Sequence, residues 1–148
     1  MNKLYLFIGP PSHPSMDESA VRQFIEEPGE KIICGGTTSS IFERILRKKA
    51  TVNLQSYSDG VPPYGFLGSI LVTECTVTLE KLTAGVQAGR LPKNAAGEFI
   101  KRITAVPGIK IYLGRAKNKV NGENKELVIK NFIEYLKSRG KRVEILEF

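Results

Sequence analysis

The sequence predicts an α/β fold: a three-layer αβα sandwich built around a mainly parallel, Rossmann-like sheet. Short apolar runs, typical of buried strands, alternate along the chain with amphipathic segments of about 12 residues that are typical of helices. Glycine and proline residues separate most of these segments. A chain of 148 residues is also close to the commonest domain size. We therefore expect a single domain that spans residues 1–148.

The first part of the chain predicts two strand and helix pairs. Residues 3–9 are apolar and end in Gly-Pro-Pro, which cannot extend a strand ladder. Ser15 is followed three residues later by a glutamate, a common helix start, and this helix ends before Pro28. A second strand is predicted at 31–34, and after a glycine pair the hydroxyl residues 37–40 cap a second helix.

The middle of the chain predicts two further strands and two helices. Residues 51–54 form the third predicted strand, and 56–68 are rich in Gly, Pro and Tyr, which favours a loop. The apolar run 69–73 predicts a fourth strand. Helices are expected around 79–86 and 95–103, with a break at the glycine and proline between them.

The last part of the chain predicts a strand, a loop, a helix and a final strand. These span 109–113, 114–124, 126–136 and 142–148. Glutamates alternate with apolar residues in the final run, so we expect an edge or antiparallel strand there. Helices between the other strands imply crossover connections and a sheet covered on both faces.

Composition narrows the class of protein. Hydrophobic residues make up 41% and charged residues 25% of the chain, as in an ordinary globular protein. No apolar run approaches the roughly 20 residues of a membrane helix, so we expect a cytoplasmic protein without a membrane partner. Cys34 and Cys75 belong to no metal or disulfide pattern. The net charge of +7 attracts polyanions, but much of it lies on predicted amphipathic helices, so we do not expect nucleic acid as the partner.

The residues that could bind a ligand follow the predicted strands. If those strands run parallel, their carboxyl ends meet at one edge of the sheet, where ligands of such folds bind. The candidate ligand-binding residues are Gly9, Pro10, Gly35, Gly36, Thr37, Thr38, Thr73, Glu74 and Arg115.

The segment Cys34-Gly35-Gly36-Thr37-Thr38 is the most informative of these. Its glycines allow close backbone approach, and the start of a helix offers free N–H groups to an anion. The alternative is that the glycines only make the turn and a threonine caps the helix. Arg115 could pair with an anion or be solvated. Glu74 could act as a base or metal ligand, or lie near a helix N-terminus as a cap.

The sequence does not contain the residues of a self-sufficient hydrolase. Asp17 and Asp59 are its two aspartates, and no cluster of carboxylates, histidines or cysteines has metal-ligand spacing. No nucleophile elbow such as GxSxG is present. We assign no catalytic residue, metal ligand or cofactor, although Glu74 and a cysteine acting on a bound nucleotide or sugar phosphate is an enzymatic alternative.

Several segments resemble a known family. In order, LFIGPP, MDESAVRQF, KIICGGTT, VPP, LVTECTVTL and EYLKSRGKRVEILEF resemble the region that follows the catalytic core in SpoIIE-type serine/threonine phosphatases, and the resemblance spans nearly the whole chain from the first segment to the last. The resemblance implies an accessory domain that lacks the metal-binding aspartates of the type 2C core. The chain departs from the family pattern at Gly68-Ser69, where members have an acidic residue, and at 115–118.

Together these observations predict a non-catalytic regulatory or ligand-sensing domain. The expected partners are a phosphatase catalytic core in the same chain, as the resemblance implies, and an anionic small molecule at the strand ends. The alternative is a protein-interaction or dimerisation module, for example a homodimer, that binds no small molecule.

Overall fold

A computed structural model describes residues 2–85, 91–116 and 122–148. The predicted end of the third helix at residue 86 and part of the predicted 114–124 loop lie outside these ranges. The strands are β1 (Lys3–Ile8), β2 (Glu30–Cys34), β3 (Thr51–Val52), β4 (Gly65–Leu67), β5 (Ile70–Thr73), β6 (Gly108–Leu113) and β7 (Arg142–Glu147). The helices are α1 (Asp17–Glu26), α2 (Gly36–Leu46), α3 (Thr76–Thr83), α4 (Ala95–Thr104) and α5 (Gly122–Ser138).

The strands form one mixed sheet in the order β3-β4-β5-β2-β1-β6-β7. The five strands from β5 to β7 in this order are parallel, and β3 and β4 add an antiparallel extension next to β5. The chain proceeds from β1 to β2 and β5 on one side, then returns to place β6 and β7 on the other side of β1. This arrangement confirms the predicted α/β class and the Rossmann-like sheet.

The structure adds a strand that was not predicted and decides between the two alternatives for the final strand. The predicted loop 56–68 contains β4, which pairs antiparallel with both β3 and β5. The final strand, β7, lies at the edge of the sheet as expected, but it is parallel to β6. Its alternating pattern therefore comes from the exposure of an edge strand and carries no information about its direction.

Each face of the sheet is covered by its own layer of helices. Helices α3, α4 and α5 pack on one face, with Leu79, Phe99 and Phe132 in the core. Helices α1 and α2 pack on the other face, around Phe7 of β1. The helices thus form the outer layers of a three-layer αβα sandwich. None of the helices in the described ranges has both the length and the apolar character needed to cross a membrane.

Phe7 is at the centre of an aromatic cluster in the α1 and α2 layer. Its ring meets those of Phe24 and Phe42 edge to face, with centroids 5.3 and 5.1 Å away. It is stacked against Tyr112 at 5.7 Å and Phe148 at 6.3 Å. The side chain of Phe7 is 1% exposed, so this cluster fixes the central strand against its helical layer.

Candidate functional site

The predicted ligand-binding residues lie at the carboxyl ends of neighbouring parallel strands. Ile8 at the end of β1 is paired with Cys34 of β2 and with Leu113 of β6. Cys34 is in turn paired with Thr73 at the end of β5. Because these four strands point the same way, the segments that follow them share one edge of the sheet. We call this the carboxyl edge.

Helix α2 begins at the carboxyl edge without a side-chain cap. Its N-cap residue is Gly35, with a φ of 109°, and no side chain accepts a hydrogen bond from the first turn. Only glycine adopts this φ without strain. The Gly35 amide donates to the Thr73 carbonyl at 2.8 Å, which fixes the turn against β5. Gly36, Thr37 and Thr38 form the first turn of this 11-residue helix. Their backbone N–H groups have no partner within the helix, and a partial positive charge is expected there.

The space next to the first turn of α2 is open at Gly36. No heavy atom lies within 4 Å of the position that a Cβ would occupy on this glycine. Thr37 is exposed. Thr38, by contrast, is 1% exposed, and its Oγ1 lies 3.4 Å from the position of a Cβ on Gly35. The turn therefore presents backbone donors and one buried hydroxyl at the carboxyl edge.

Glu74 has a structural role at the start of α3. Its carboxylate accepts hydrogen bonds from the amides of Val77 and Thr78, at 3.1 and 2.9 Å, and from the Thr78 hydroxyl at 3.1 Å. Both carboxylate oxygens are therefore engaged by the first turn of α3. This geometry agrees with the capping alternative.

Thr73 and the two cysteines form a buried group under the carboxyl edge. The Thr73 hydroxyl donates to Cys34 Sγ at 3.7 Å. Burial raises the pKa of the Cys34 thiol well above its usual value. Burial also raises the pKa of Cys75 to about 11, although the nearby Lys125 ammonium acts in the opposite direction. Both thiols are therefore protonated at neutral pH and are poor nucleophiles.

Lys125 is the residue at the carboxyl edge that sequence reasoning missed. It lies near the start of α5, and its Nζ is 3.1 Å from the position that a Cβ would take on Gly9. Among the carboxylates whose side chains the structure describes, a set that does not include Glu123, none forms an ion pair with this amino group. Its place shortly after β6 in the sequence was the available signal, because ligand-binding residues of such folds follow the carboxyl ends of the strands.

The other predicted residues lie towards β6 and β7. The Gly114 amide donates to the Ile8 carbonyl at 2.9 Å, and the Ala116 amide donates to the Pro10 carbonyl at 3.1 Å. A Cβ on Gly114 would lie 2.1 Å from the Pro10 oxygen, so the two backbones approach as closely as glycine allows. Arg115 forms an ion pair with Glu147 of β7. It does not join the group around Gly35.

Two open clefts lie away from the carboxyl edge. One of about 630 Å³ separates α3 from α5, and one of about 340 Å³ lies beside the start of β2. Neither is lined by any of the predicted ligand-binding residues. Within the described ranges, no three His, Cys, Asp or Glu side chains are grouped closely enough to hold a metal ion.

Comparison with known proteins does not identify the chain. No protein-family model, no curated protein and no solved structure matches it. The similarity to SpoIIE-type phosphatases therefore depends on the sequence segments alone.

Proposed function

We propose that this chain is a regulatory or ligand-sensing domain associated with a SpoIIE-like serine/threonine phosphatase, and that it binds an anionic small molecule at the carboxyl edge. The observation that supports this most directly is the uncapped N-terminus of α2, which begins beside open space at Gly36. The phosphatase association is supported by the sequence segments that resemble that family.

The electrostatics of the carboxyl edge favour an anion. A helix N-terminus carries the equivalent of roughly half a positive charge. The Lys125 ammonium adds a full charge above Gly9, on the strand next to the one that precedes α2. The Glu74 carboxylate, which follows β5 at this edge, already accepts three hydrogen bonds from α3. An anion at this edge therefore gains the attraction of two positive groups.

The same residues support a binding role over a catalytic one. The thiols of Cys34 and Cys75 have raised pKa values because they are buried, so neither supplies a thiolate at neutral pH. The Glu74 carboxylate accepts hydrogen bonds from the start of α3, and α3 would lose this cap if the carboxylate acted as a base. The groups that remain available at the edge are hydrogen-bond donors and one ammonium.

Thermal unfolding with a ligand panel tests this proposal. The panel contains nucleotides, phosphorylated metabolites and dicarboxylates at about 1 mM, and a ligand at 100 times its dissociation constant adds about 2.7 kcal/mol to the folded state. A Gly36→Leu variant should fold, because its side chain enters open space, and should lose the ligand-induced shift. Ser40→Leu is the matched control, since Ser40 is exposed one turn further along α2. If no compound shifts the unfolding temperature, or if Gly36→Leu binds as tightly as the parent, the proposal is wrong.

A second candidate function is a protein-interaction module, favoured by one exposed apolar segment. Val52, Leu54 and Tyr57 are 60%, 78% and 62% exposed, and they lie at and just after edge strand β3. Grouped exposed apolar side chains often mark partner surfaces. Light scattering tests the self-association form of this function. A mass that rises with concentration in the parent, but not in Leu54→Ser, would support it, and a monomer at every concentration would count against it.

A further inference from the structure

We infer that this chain forms a homodimer in which the edge strand β7 pairs antiparallel with β7 of a second copy, so that the two sheets become one. The inference does not depend on the ligand proposed above. It rests on the backbone groups that β7 leaves free, on the symmetry of their spacing, and on the charges at the two edges of the sheet.

The even-numbered residues of β7 direct their backbone groups towards β6. The strand is the last of the sheet, and all six of its residues are in continuous parallel register with β6. At its start the Arg142 amide donates to the Pro107 carbonyl at 3.1 Å, and just after its end the Phe148 amide donates to the Leu113 carbonyl at 2.9 Å. Because backbone groups alternate in direction along a strand, residues 144 and 146 face β6 as well.

The odd-numbered residues of β7 therefore direct their backbone groups outward. These are Val143, Ile145 and Glu147, and within the described ranges no hydrogen bond involves their N–H or C=O groups. Unpaired groups along an edge strand are a template for pairing with another chain. Proline, a bulge or a very short strand commonly blocks such pairing, and β7 has none of these. Its edge is open to another strand.

The three outward-facing residues are spaced symmetrically about Ile145. Opposite residues of an antiparallel pair can exchange two hydrogen bonds. When Ile145 lies opposite its own copy on a two-fold axis, Val143 lies opposite Glu147 of the second copy, and Glu147 lies opposite Val143. All three outward-facing residues are then paired in both copies. A register shifted by two residues in either direction pairs only two of the three, so the edge is self-complementary about Ile145.

The side chain at the centre of this register is apolar. Ile145 is 44% exposed, and alternation places it on the face of the sheet where Val143 packs with the α5 layer. Side chains directly opposite each other across an antiparallel pair lie about 5 Å apart. The two copies of Ile145 would therefore cover each other.

The charges along β7 are compatible with a second copy. Glu144 forms an ion pair with Lys3, and Glu147 forms one with Arg115, both within the same chain. These carboxylates are thus neutralised before the two strands meet. Arg142 at the start of the strand is exposed, and antiparallel pairing brings it close to the acidic end of the other strand. The second copy therefore supplies an opposite charge at each end of β7.

The other edge of the sheet is less suited to a second copy. Strand β3 is only two residues long, and the Ala50 amide just before it already donates to the Glu43 carboxylate at 2.8 Å. The basic residues 47–49 next to it are all exposed. Two copies that met at β3 would bring these like charges together. Of the two edges, β7 is the one that a second copy fits.

Sedimentation equilibrium of the 148-residue chain tests the association. One pair of edge strands is a small interface, so the dimer should dissociate on dilution. The mass should rise from 16.4 kDa towards twice that value between about 10 μM and about 1 mM protein. Ile145→Lys should remain monomeric, because it places two ammonium groups opposite each other on the axis. Leu54→Lys is the matched control, since it adds the same charge at a side chain that is 78% exposed just after β3, and it should associate like the parent.

Disulfide trapping tests the register and needs no destabilising variant. In Ile145→Cys the two Cα atoms should lie about 5.5 Å apart across the axis, within the range that a disulfide spans. The Cα atoms of two Val143→Cys copies should be about 14 Å apart, because they are offset by four residues along the strands. Mild oxidation with oxidised glutathione should therefore cross-link Ile145→Cys and not Val143→Cys. The native thiols of Cys34 and Cys75 are buried, so the parent should not cross-link.

Three outcomes would overturn the inference. The first is a parent chain that stays monomeric up to about 1 mM. The second is a dimer that Leu54→Lys dissociates and Ile145→Lys does not, which would place the interface at the exposed apolar segment beside β3. The third is equal cross-linking of the Ile145→Cys and Val143→Cys variants, which would exclude a two-fold axis at residue 145. Far-ultraviolet circular dichroism of Ile145→Lys should match that of the parent, and Ile145→Thr repeats the test if it does not.

Discussion

Because Phe7 lies in an aromatic cluster, its side chain should contribute more to the free energy of unfolding than an equally buried phenylalanine on the other face of the sheet. Phe7→Leu nearly conserves size, and such an exchange alone costs less than about 1.5 kcal/mol. It also removes two edge-to-face and two stacked ring contacts. Each aromatic pair is worth roughly 0.5–1.5 kcal/mol beyond its buried area. We therefore expect a loss of about 3 kcal/mol in the free energy of unfolding.

Phe99 provides the matched control in the opposite helical layer. It is fully buried on α4, and its ring meets that of Phe132 at 5.7 Å. With one ring contact in place of four, Phe99→Leu should lose about 1.5 kcal/mol. Urea unfolding followed by circular dichroism measures both losses. If the free energy of unfolding falls by about 2 kcal/mol per molar urea, the midpoint should fall by about 1.5 M in Phe7→Leu and by about 0.8 M in Phe99→Leu. Equal losses for the two variants would show that the ring contacts of the cluster add no stability beyond burial.

Three further outcomes can be measured by the same unfolding assay. Gly114→Ala should lower the free energy of unfolding by about 3 kcal/mol or more, because its Cβ would lie 2.1 Å from a backbone oxygen. Gly36→Ala, whose Cβ enters open space, should change it by about 0.5 kcal/mol or less. Similar losses in the two variants would contradict the close approach at Gly114. Glu74→Ala should cost about 1 kcal/mol through loss of the cap on α3, and an unchanged midpoint would show that the cap contributes nothing. The hydrogen bond from Arg102 lowers the pKa of Glu98 below its usual 4.5, so the stability that this carboxylate adds is present above pH 4.5 and is lost as the pH falls through the lowered value. Glu98→Gln should therefore reduce the loss of stability below pH 4.5, and an identical acid dependence would argue against this pair.

The fold class could be predicted because it depends on patterns that repeat along the whole chain. Apolar runs such as KLYLFI and KIIC form strands that are buried on both faces, and buried parallel strands need such continuous runs. Strand β4 escaped prediction because it is only three residues long. Position 65 of this strand requires glycine, because a Cβ there would lie 1.9 Å from the Thr51 carbonyl oxygen. Only the tertiary contact reveals this requirement.

The candidate site could be predicted only in part, for a similar reason. The segments after β1, β2 and β5 were placed at one edge by the parallel pattern, and the structure brings them together there. Lys125 was missed because its position depends on how α5 packs against the sheet, and no local spacing encodes that packing. Arg115 follows β6 as predicted, but the neighbouring edge strand supplies Glu147 as its partner. The partners of long charged side chains are set by the final assembly.

The central position of β1 has a consequence for the order in which the sheet can assemble during synthesis. This strand precedes β2 and β6 along the chain, yet Leu4 pairs with Glu30 on one side and with Ile109 on the other. The second of these pairings must wait until Gly108–Leu113 has been made, so one side of β1 has no strand partner while residues 9–107 are being synthesised. Contacts between such distant residues slow folding, and unpaired apolar strands aggregate readily. We therefore expect nascent chains that end before β6 to depend on chaperones for solubility.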